Sequence, residues 1–257
     1  MGFSLSSAQY YKAMPTLLLL GADSDISRCC AQQFGAAGFN LLLTSRRSIN
    51  PIPEWAEAIK TKHGVQVQLL SFDANDLHTH EVFYEALPVL PEVVISAIGY
   101  LGDEDLARGE QTERVHIMTS NFVGLVSLLD RLAQAMQERA SGHILGISSV
   151  AGERGRASNY HYGASKAGFT AYLSGLRQYL RPHGVHVGTI KPGFVRTKML
   201  GDRPTPDFLT ASPMQVARAT FKAYQKRLSV VYCLPAWRPI MWIIRHIPEA
   251  IFQRLSL

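Results

Sequence analysis

Residues 142–167 read GHILGISSVAGERGRASNYHYGASKA, an apolar segment followed by a turn and a longer amphipathic segment. The apolar run Gly142–Ser148 has the length and composition of a buried strand, and helical periodicity begins at Tyr160. The same alternation continues in both directions along the chain, which is the pattern of strand–helix–strand units around a parallel sheet. We therefore predict an α/β fold, a single doubly wound domain whose parallel sheet has helices on both faces.

The strand and helix predictions follow from the length and period of each segment. The seven predicted strands are Thr16–Leu20, Asn40–Thr44, Gln66–Ser71, Glu92–Ala97, Gly142–Ser148, Val185–Ile190 and Val230–Leu234. The main predicted helices are Ile26–Ala37, Glu54–His63, Leu77–Leu87, Thr112–Arg139, Tyr160–Arg181 and Pro213–Arg227. Ligands of doubly wound sheets bind beyond the carboxyl ends of the strands. Four residues of interest follow predicted strand ends, and we expect one crevice to collect them: Gly21, Gly99, Ser149 and Pro192.

Composition indicates one ordinary globular domain, because the 257 residues are 47% hydrophobic and 18% charged. The three cysteines, Cys29, Cys30 and Cys233, have neither metal-ligand spacing nor a plausible disulfide framework. We therefore expect a cytoplasmic protein with no metal site. We divide the chain into an N-terminal extension outside the fold (1–13), a main domain (14–234) and a tail (235–257).

Positive charge is concentrated toward the C-terminus. Residues 218–257 contain seven lysines and arginines and one glutamate, an excess of six that equals the net charge of the whole chain. The tail is also rich in large apolar residues, but it has no run of about 20 of them and is not predicted to span a membrane. Such a segment can lie on an anionic membrane surface, or it can pack on the domain or a partner subunit. Nucleic-acid binding is disfavoured because the basic residues alternate with buried-type apolar ones.

Tyr162 and Lys166 lie four residues apart on a predicted helix, a spacing that places both side chains on one face. A free tyrosine has a pKa near ~10, and a neighbouring ammonium lowers that value, which makes proton exchange with an alcohol or carbonyl oxygen practicable. Ser149 lies thirteen residues before Tyr162, at the end of a predicted strand. Tyr160 has no such partner, because Ala164 stands four residues after it.

Together, Ser149, Tyr162 and Lys166 resemble the active-site signature of the short-chain dehydrogenase/reductase family. The resemblance runs from about Pro15 to Pro213 and includes Asn121 in TSNFVG and the loop KPGFVRT at 191–197. It implies a Rossmann-type catalytic domain that interconverts a ketone and a secondary alcohol with a nicotinamide cofactor. Tyr162 is then the general acid, Ser149 polarises the carbonyl, and Asn121 holds a water that links Lys166 to solvent. The family resemblance also implies a homodimer or homotetramer.

The cofactor loop departs from the family pattern, in which the first strand-to-helix turn has three glycines. Gly21 is present, but Asp25 and Ser27 stand at the other two positions. A carboxylate at position 25 repels a pyrophosphate unless its side chain turns away to cap the helix. The expected cofactor-binding residues are Gly21, Ser24, Asp25, Ile26, Arg46, Arg47, Asp73, Ala74, Gly99, Tyr162, Lys166, Pro192, Gly193, Val195 and Thr197.

Arg46 and Arg47 follow the second predicted strand, where relatives that prefer NAD have a carboxylate. Because a guanidinium suits an added 2′-phosphate, NADP(H) is favoured over NAD(H). The altered turn, the segment 149–156 and the tail resemble the bacterial decaprenylphosphoryl 2-keto-pentose reductases. That subgroup implies a lipid-linked keto sugar, a role in cell-wall biogenesis, and peripheral contact with the inner membrane face. The alternatives are a soluble keto-reductase for an acyl, steroid-like or small carbonyl substrate, and a non-catalytic nucleotide-binding regulator.

Overall fold

The computed structural model describes residues 14–46 and 51–255. The predicted N-terminal extension, 1–13, lies outside these residues, and so does Arg47. The strands of the main sheet are β1 (Thr16–Leu20), β2 (Asn40–Ser45), β3 (Val67–Ser71), β4 (Val93–Ser96), β5 (Gly142–Ile147), β6 (Val185–Lys191) and β9 (Val230–Tyr232). A separate short pair consists of β7 (Phe194–Val195) and β8 (Thr210–Ala211).

The main sheet has the order β3-β2-β1-β4-β5-β6-β9, and every neighbouring pair is parallel. The predicted doubly wound, seven-stranded parallel sheet is therefore confirmed. The order reverses between β1 and β4, and this reversal opens a crevice at the carboxyl ends of the strands. Gly21 directly follows β1, and Ala97 directly follows β4.

Helices cover both faces of the sheet. They are α1 (Asp25–Ala36), α2 (Glu54–His63), α3 (His80–Glu85), α4 (Glu104–Gly109), α5 (Gln111–Met118), α6 (Gly124–Glu138), α7 (Tyr160–Leu180), α8 (Pro213–Gln225), α9 (Trp237–His246) and α10 (Glu249–Phe252). Successive leucines of β1 point to opposite faces, Leu17 and Leu19 toward α1, α2 and α8, Leu18 and Leu20 toward α6 and α7. All four are fully buried, which explains why the strand is a continuous apolar run.

The predicted helix Thr112–Arg139 is two helices, α5 and α6, joined by one π-helical turn at Thr119–Val123. Gly124 begins α6 against the backbone of Ala74, and a Cβ at position 124 would overlap the Ala74 carbonyl. The break therefore lies where the helix presses on the loop after β3. Such π-turns are often found at functional sites.

The tail forms α9 and α10. Trp237 and Met241 of α9 are buried in a small apolar cluster with Val150, which lies directly after Ser149. The tail thus packs on the main domain beside the crevice. Within the described ranges, none of the helices has the combination of length and apolarity that a membrane span requires.

Candidate active site

A cavity of about 560 Å³ lies at the carboxyl ends of the strands. It collects the four residues expected to meet there: Gly21, Gly99, Ser149 and Pro192. Most of the other predicted site residues also line it: Ser24, Asp25, Ile26, Arg46, Asp73, Ala74, Tyr162, Lys166, Gly193, Val195 and Thr197. Asn121 is fully buried and is not part of the cavity wall. The single-crevice arrangement explains why side chains so far apart in sequence can act on one ligand.

Ser149 and Tyr162 come from consecutive elements of the quoted stretch. Ser149 caps a short 3₁₀ turn, Val150–Glu153, and its Oγ accepts a hydrogen bond from the Ala151 N–H at 3.1 Å. Tyr162 stands in the first turn of α7 and lines the same cavity as Ser149. Burial raises the pKa of Tyr162 to about 12, and the hydrogen bond with Ser149 opposes that rise. The phenol is therefore protonated at neutral pH.

Lys166 is only 2% exposed. Its Nζ donates to the carbonyl oxygens of Ile98 at 3.4 Å and Ile147 at 3.3 Å, at the ends of β4 and β5. It also lies 5.8 Å from the centre of the Tyr162 ring. Burial lowers the pKa of Lys166 to about 8.

The pKa of Tyr162 shifts in the direction opposite to the one predicted. We predicted that the ammonium lowers the pKa of the phenol, but burial of Tyr162 is the larger effect and raises it. The opposing hydrogen bond comes from Ser149, whereas the Lys166 ammonium is directed toward two backbone carbonyls. Both groups thus have pKa values shifted toward their neutral forms.

Asn121 lies in the π-turn, and its side chain holds the backbone that follows β4. Its Oδ1 accepts from the Tyr100 N–H at 3.0 Å, and its Nδ2 donates to the carbonyl oxygens of Tyr100 at 2.6 Å and Ile117 at 2.8 Å. Because both amide hydrogens are engaged, the side chain is an anchor for the turn. The water-holding role that we expected of Asn121 stays a prediction. A Cβ on Gly99 would lie 3.7 Å from Asn121 Oδ1 and 3.8 Å from Lys166 Nζ, so the anchored turn adjoins the lysine.

The first strand-to-helix turn keeps the one glycine that its geometry requires. Gly21 has a φ of +89°, and a Cβ there would lie 2.8 Å from Ile98 Cγ1. Ser24 caps α1 by accepting from the Ile26 N–H at 3.2 Å. Asp25 does not cap the helix, since its Oδ2 accepts from the backbone N–H of Lys198 at 3.1 Å. The carboxylate is thus directed to the loop after β7 and does not cap the start of α1, where an anion can bind and where Ser24 takes the Ile26 amide.

The Arg46 end of the crevice contains a carboxylate that was not among the predicted site residues. Asp23 lines the cavity together with Arg46, and its Oδ2 accepts from Ser45 Oγ at 2.5 Å. Asp73 closes its own turn by accepting from the Asn75 N–H at 2.9 Å. Asp23 stands two residues after Gly21, in the turn after the first predicted strand. That position could have indicated a residue that lines the crevice.

The opposite end of the crevice is walled by the tail. Trp237 is 4% exposed, lines the cavity, and donates from Nε1 to the Leu209 carbonyl at 3.1 Å. Its ring meets Phe194 edge-on at 5.6 Å, and a Cβ on Gly193 would overlap it. Trp237, Met241 and Ile244 recur at helical spacing, and this pattern in the sequence indicates that they form one buried face of α9.

The residues of the crevice fit a dinucleotide cofactor. Gly21 lets the backbone come close to a ligand, and the N-terminus of α1 faces the crevice. Arg46 lies at one end, while Thr197, Ser149 and Tyr162 lie toward the other. When bound, a nicotinamide cofactor supplies or accepts hydride. The protein then contributes the position of the substrate and the proton.

Comparisons with known proteins agree with this geometry. The sequence model described as short chain dehydrogenase matches residues 15–207. An uncharacterized oxidoreductase of Mycobacterium tuberculosis is 33% identical over 244 residues, which cover 93% of this chain and 96% of the relative. Among solved structures, a short-chain dehydrogenase from Sphingobium yanoikuyae in complex with NADPH has a TM-score of 0.79 and 23% identity, and the alignment covers 92% of this chain and 98% of that one.

A second solved structure has the same fold and is in complex with NAD, whereas the first is in complex with NADPH. A 3-oxoacyl-[acyl-carrier protein] reductase from Brucella melitensis in complex with NAD has a TM-score of 0.71 and 22% identity, with 86% of this chain and 95% of that chain covered. At these identities the two structures establish the fold alone. The family follows from the sequence model and from the M. tuberculosis relative. The chain is an oxidoreductase and belongs to the short-chain dehydrogenase/reductase family.

Proposed function

We propose that the protein reduces a ketone to a secondary alcohol with a nicotinamide cofactor, and that Tyr162 is the general acid. The observation that carries this proposal is that Ser149, Tyr162 and the buried Lys166 line one crevice, where the side chain of Ser149 acts to lower the pKa of the Tyr162 phenol. All three side chains lie at the end where Thr197 and Pro192 also line the wall. A carbonyl oxygen placed between the two hydroxyls can accept a hydrogen bond from each.

Proton transfer follows from the protonation states of the two buried groups. The pKa of about 12 keeps Tyr162 protonated at neutral pH, so the phenol has a proton to donate as hydride reaches the carbonyl carbon. Ser149 donates to the oxygen on which negative charge develops. The pKa of about 8 keeps Lys166 mainly charged at pH 7, where its ammonium stabilises the phenolate that Tyr162 becomes. Asn121 supports this set by fixing the turn next to Lys166.

For the cofactor we propose NADP(H). Arg46 lines the crevice beyond the end of β2 and is the described cation nearest in sequence to that strand end. Its fork suits a 2′-phosphate through charge-assisted hydrogen bonds. Asp23 opposes this preference, because a carboxylate suits ribose hydroxyls and repels a phosphate. The hydrogen bond that Asp23 accepts from Ser45 occupies one of its carboxylate oxygens.

A lipid-linked keto sugar is our finer proposal for the substrate, and it is supported by the two faces of α9. Trp237 faces the crevice, whereas Trp242 and Ile243 are 63% and 58% exposed. The exposed Arg238 and Arg245 lie on the same helix. Exposed aromatic and aliphatic side chains beside cations suit the surface of an anionic membrane. A substrate carried by a lipid phosphate would then be reached from a membrane that lies beside the mouth of the crevice.

The reductase proposal is tested with a panel of ketones and both reduced cofactors. The panel contains a polyprenylphosphate-linked 2-keto pentose, a β-keto acyl thioester, a steroid ketone and small ketones, and loss of reduced-nicotinamide absorbance is followed. We expect oxidation of NADPH with at least one ketone. Cofactor binding with no oxidation across the panel would favour the nucleotide-binding regulator instead. Faster turnover of the thioester than of the lipid-linked sugar would favour the soluble keto-reductase.

Membrane contact is tested by sedimentation with vesicles that contain anionic lipid. We expect the wild type to sediment, and the double variant Trp242→Gln/Ile243→Gln to remain in solution. The matched control is Val82→Gln on α3, which removes an apolar residue that is 67% exposed on another helix. Equal sedimentation of all three proteins, or of none, would contradict the membrane proposal.

A further inference from the structure

Arg156 lines the substrate end of the crevice, in the segment between the 3₁₀ turn after Ser149 and α7. Tyr162, Met199 and Trp237 line the same cavity. The guanidinium is half-buried, and its Nε is inaccessible to solvent. Burial lowers the pKa of Arg156, but a guanidinium remains charged at neutral pH.

The residues before Arg156 are held by charged partners. Glu153 is buried, and its Oε1 accepts from Lys191 Nζ at 2.9 Å and from the Tyr232 hydroxyl at 2.7 Å. Arg154 donates to Glu249 Oε2 at 2.6 Å and lies over the ring of Phe252 at 4.1 Å. These contacts fix the segment against β6 and the tail helices. Oε2 of Glu153 has no hydrogen-bond partner within the described part of the chain and lies 3.8 Å from Arg245 Nη1.

Arg156 itself has no such partner. Among residues 14–46 and 51–255, no carboxylate forms an ion pair with it, and its Nε has no hydrogen-bond partner. One contact of its Nη2 is with Met241 Sδ at 3.8 Å, and a thioether is a weak acceptor. A partly buried charge without a partner is unfavourable, so the site is better suited to a ligand anion than to the protein alone.

Charge is distributed unevenly along the crevice. Its carboxylates, Asp23, Asp25 and Asp73, belong to the turns after β1 and β3, and that of Asp25 reaches the backbone N–H of Lys198. Lys198 and Arg203 lie in the loop after β7, and both line the cavity with Arg156. Arg156, Lys198 and Arg203 outnumber the single carboxylate of Asp25 here, and this excess of positive charge favours a doubly charged anion over a neutral group.

We propose that Arg156 is a substrate-binding residue that holds a phosphate group of the ketone substrate. The fork of its guanidinium can donate two parallel hydrogen bonds to phosphate oxygens. Lys198 and Arg203 add positive charge on the side of the loop. The inference rests on the proposed reductase function, because it assigns the substrate class for the same crevice. A free sugar phosphate and a lipid phosphate present the same group to Arg156.

Anion binding is measured by calorimetry on the full chain saturated with NADP⁺, so that the phosphate sites of the cofactor are already filled. The probes are inorganic phosphate, farnesyl phosphate and, as the uncharged match, farnesol. Arg156→Gln removes the charge, Arg156→Lys keeps the charge without the fork, and Arg218→Gln removes an equal charge from an exposed position on α8. Retained NADP⁺ affinity shows that each variant is folded.

We expect Arg156→Gln to weaken farnesyl phosphate binding by about 10- to 100-fold, with a smaller loss in Arg156→Lys and less than about twofold in Arg218→Gln. Arg156-dependent binding of inorganic phosphate indicates a site for free phosphate esters, and binding of farnesyl phosphate alone indicates a lipid-linked one. The proposal is overturned if neither phosphate binds, if farnesol binds as tightly, or if Arg218→Gln weakens binding as much as Arg156→Gln. The binding measurement needs no turnover. Phosphate binding at Arg156 can therefore be confirmed even if no ketone is reduced, and ketone reduction can be confirmed even if no phosphate binds.

Discussion

The carboxylate of Asp25 accepts a hydrogen bond from the backbone N–H of Lys198 at 3.1 Å, and this joins two loops that are 173 positions apart. Asp25 stands at the start of α1, where the family has glycine, and Lys198 begins the loop that leads to the substrate end of the crevice. One contact therefore links the turn after β1 to the loop after β7. It also explains how a carboxylate can occupy the turn, because the group is directed away from the amides of α1.

Removing this hydrogen bond is expected to weaken binding of the ketone more than binding of the cofactor. Asp25→Ala loses the hydrogen bond to Lys198, and we expect the KM for the ketone to rise about three- to tenfold. Asp25→Asn keeps an acceptor oxygen and removes a negative charge, so we expect tighter NADPH binding with a nearly normal KM. Initial rates and fluorescence titration of NADPH measure the two effects. A normal KM in Asp25→Ala would contradict the proposed link.

Arg46 is expected to set the cofactor preference. Arg46→Ala should lower kcat/KM for NADPH by about tenfold or more and leave NADH nearly unchanged, because only NADPH has the 2′-phosphate. Asp23→Asn should act in the opposite direction and improve NADPH. The ratio of kcat/KM for the two cofactors is the quantity to measure. Equal losses for NADPH and NADH in Arg46→Ala would place this side chain away from the 2′-phosphate.

Gly193 and Trp237 give a stability prediction. A Cβ at position 193 would overlap the indole, so Gly193→Ala is expected to destabilise the protein by about 1–3 kcal/mol. Gly175 on α7 is the matched control, since it is exposed and a Cβ there meets nothing within 4 Å. Gly175→Ala should leave the protein unchanged or slightly more stable. Denaturant unfolding measures both, and equal stability of the two variants would contradict the close packing of the tail.

His143 and His186 make the fold sensitive to acid. Their Nδ1 atoms lie 3.3 Å apart across β5 and β6, and burial lowers the pKa of His143 to about 4 and also lowers that of His186. An unfolded histidine titrates near ~6.5, so between pH values of about 4 and 6.5 the unfolded chain binds more protons than the folded one. Stability therefore falls as the pH falls through this range.

His143→Gln is expected to remove part of this dependence, about 1–2 kcal/mol between neutral pH and pH ~4 after allowance for partial exposure of the ring. Urea unfolding at a series of pH values measures the slope for the variant and the wild type. His63→Gln on α2, whose side chain belongs to the last turn of a surface helix, is the control and should keep the wild-type slope. Parallel slopes for wild type and His143→Gln would show that other groups cause the acid sensitivity.

Local sequence signals were sufficient for the sheet and for the main members of the site. Each strand is a short apolar run that ends near a crevice residue. The four-residue spacing is enough to place Tyr162 and Lys166 on one face of a helix. The π-turn at Thr119–Val123 was missed because apolar periodicity runs through it. Its cause, the contact of Gly124 with Ala74, depends on tertiary packing.

Other properties of the site depend on contacts that no local pattern contains. The partner of Asp25 is a backbone amide on a distant loop, and the wall formed by Trp237 comes from a tail that could equally have packed elsewhere. The pKa of Tyr162 was predicted in the wrong direction, since spacing shows the neighbouring ammonium but does not show how deeply the phenol is buried. In the sequence, Arg156 is only one charged residue of the segment 149–156. That no carboxylate of the described residues pairs with it is apparent only from the structure.

Proton donation by Tyr162 is tested most directly by single-turnover oxidation of bound NADPH in Tyr162→Phe. The ring is kept and only the hydroxyl is removed, so fluorescence of bound NADPH should show nearly normal cofactor affinity. We expect the rate of NADPH oxidation with the best ketone of the panel to fall by a factor on the order of 10² or more. A rate within a few fold of the wild type would contradict the assignment of Tyr162 as the acid.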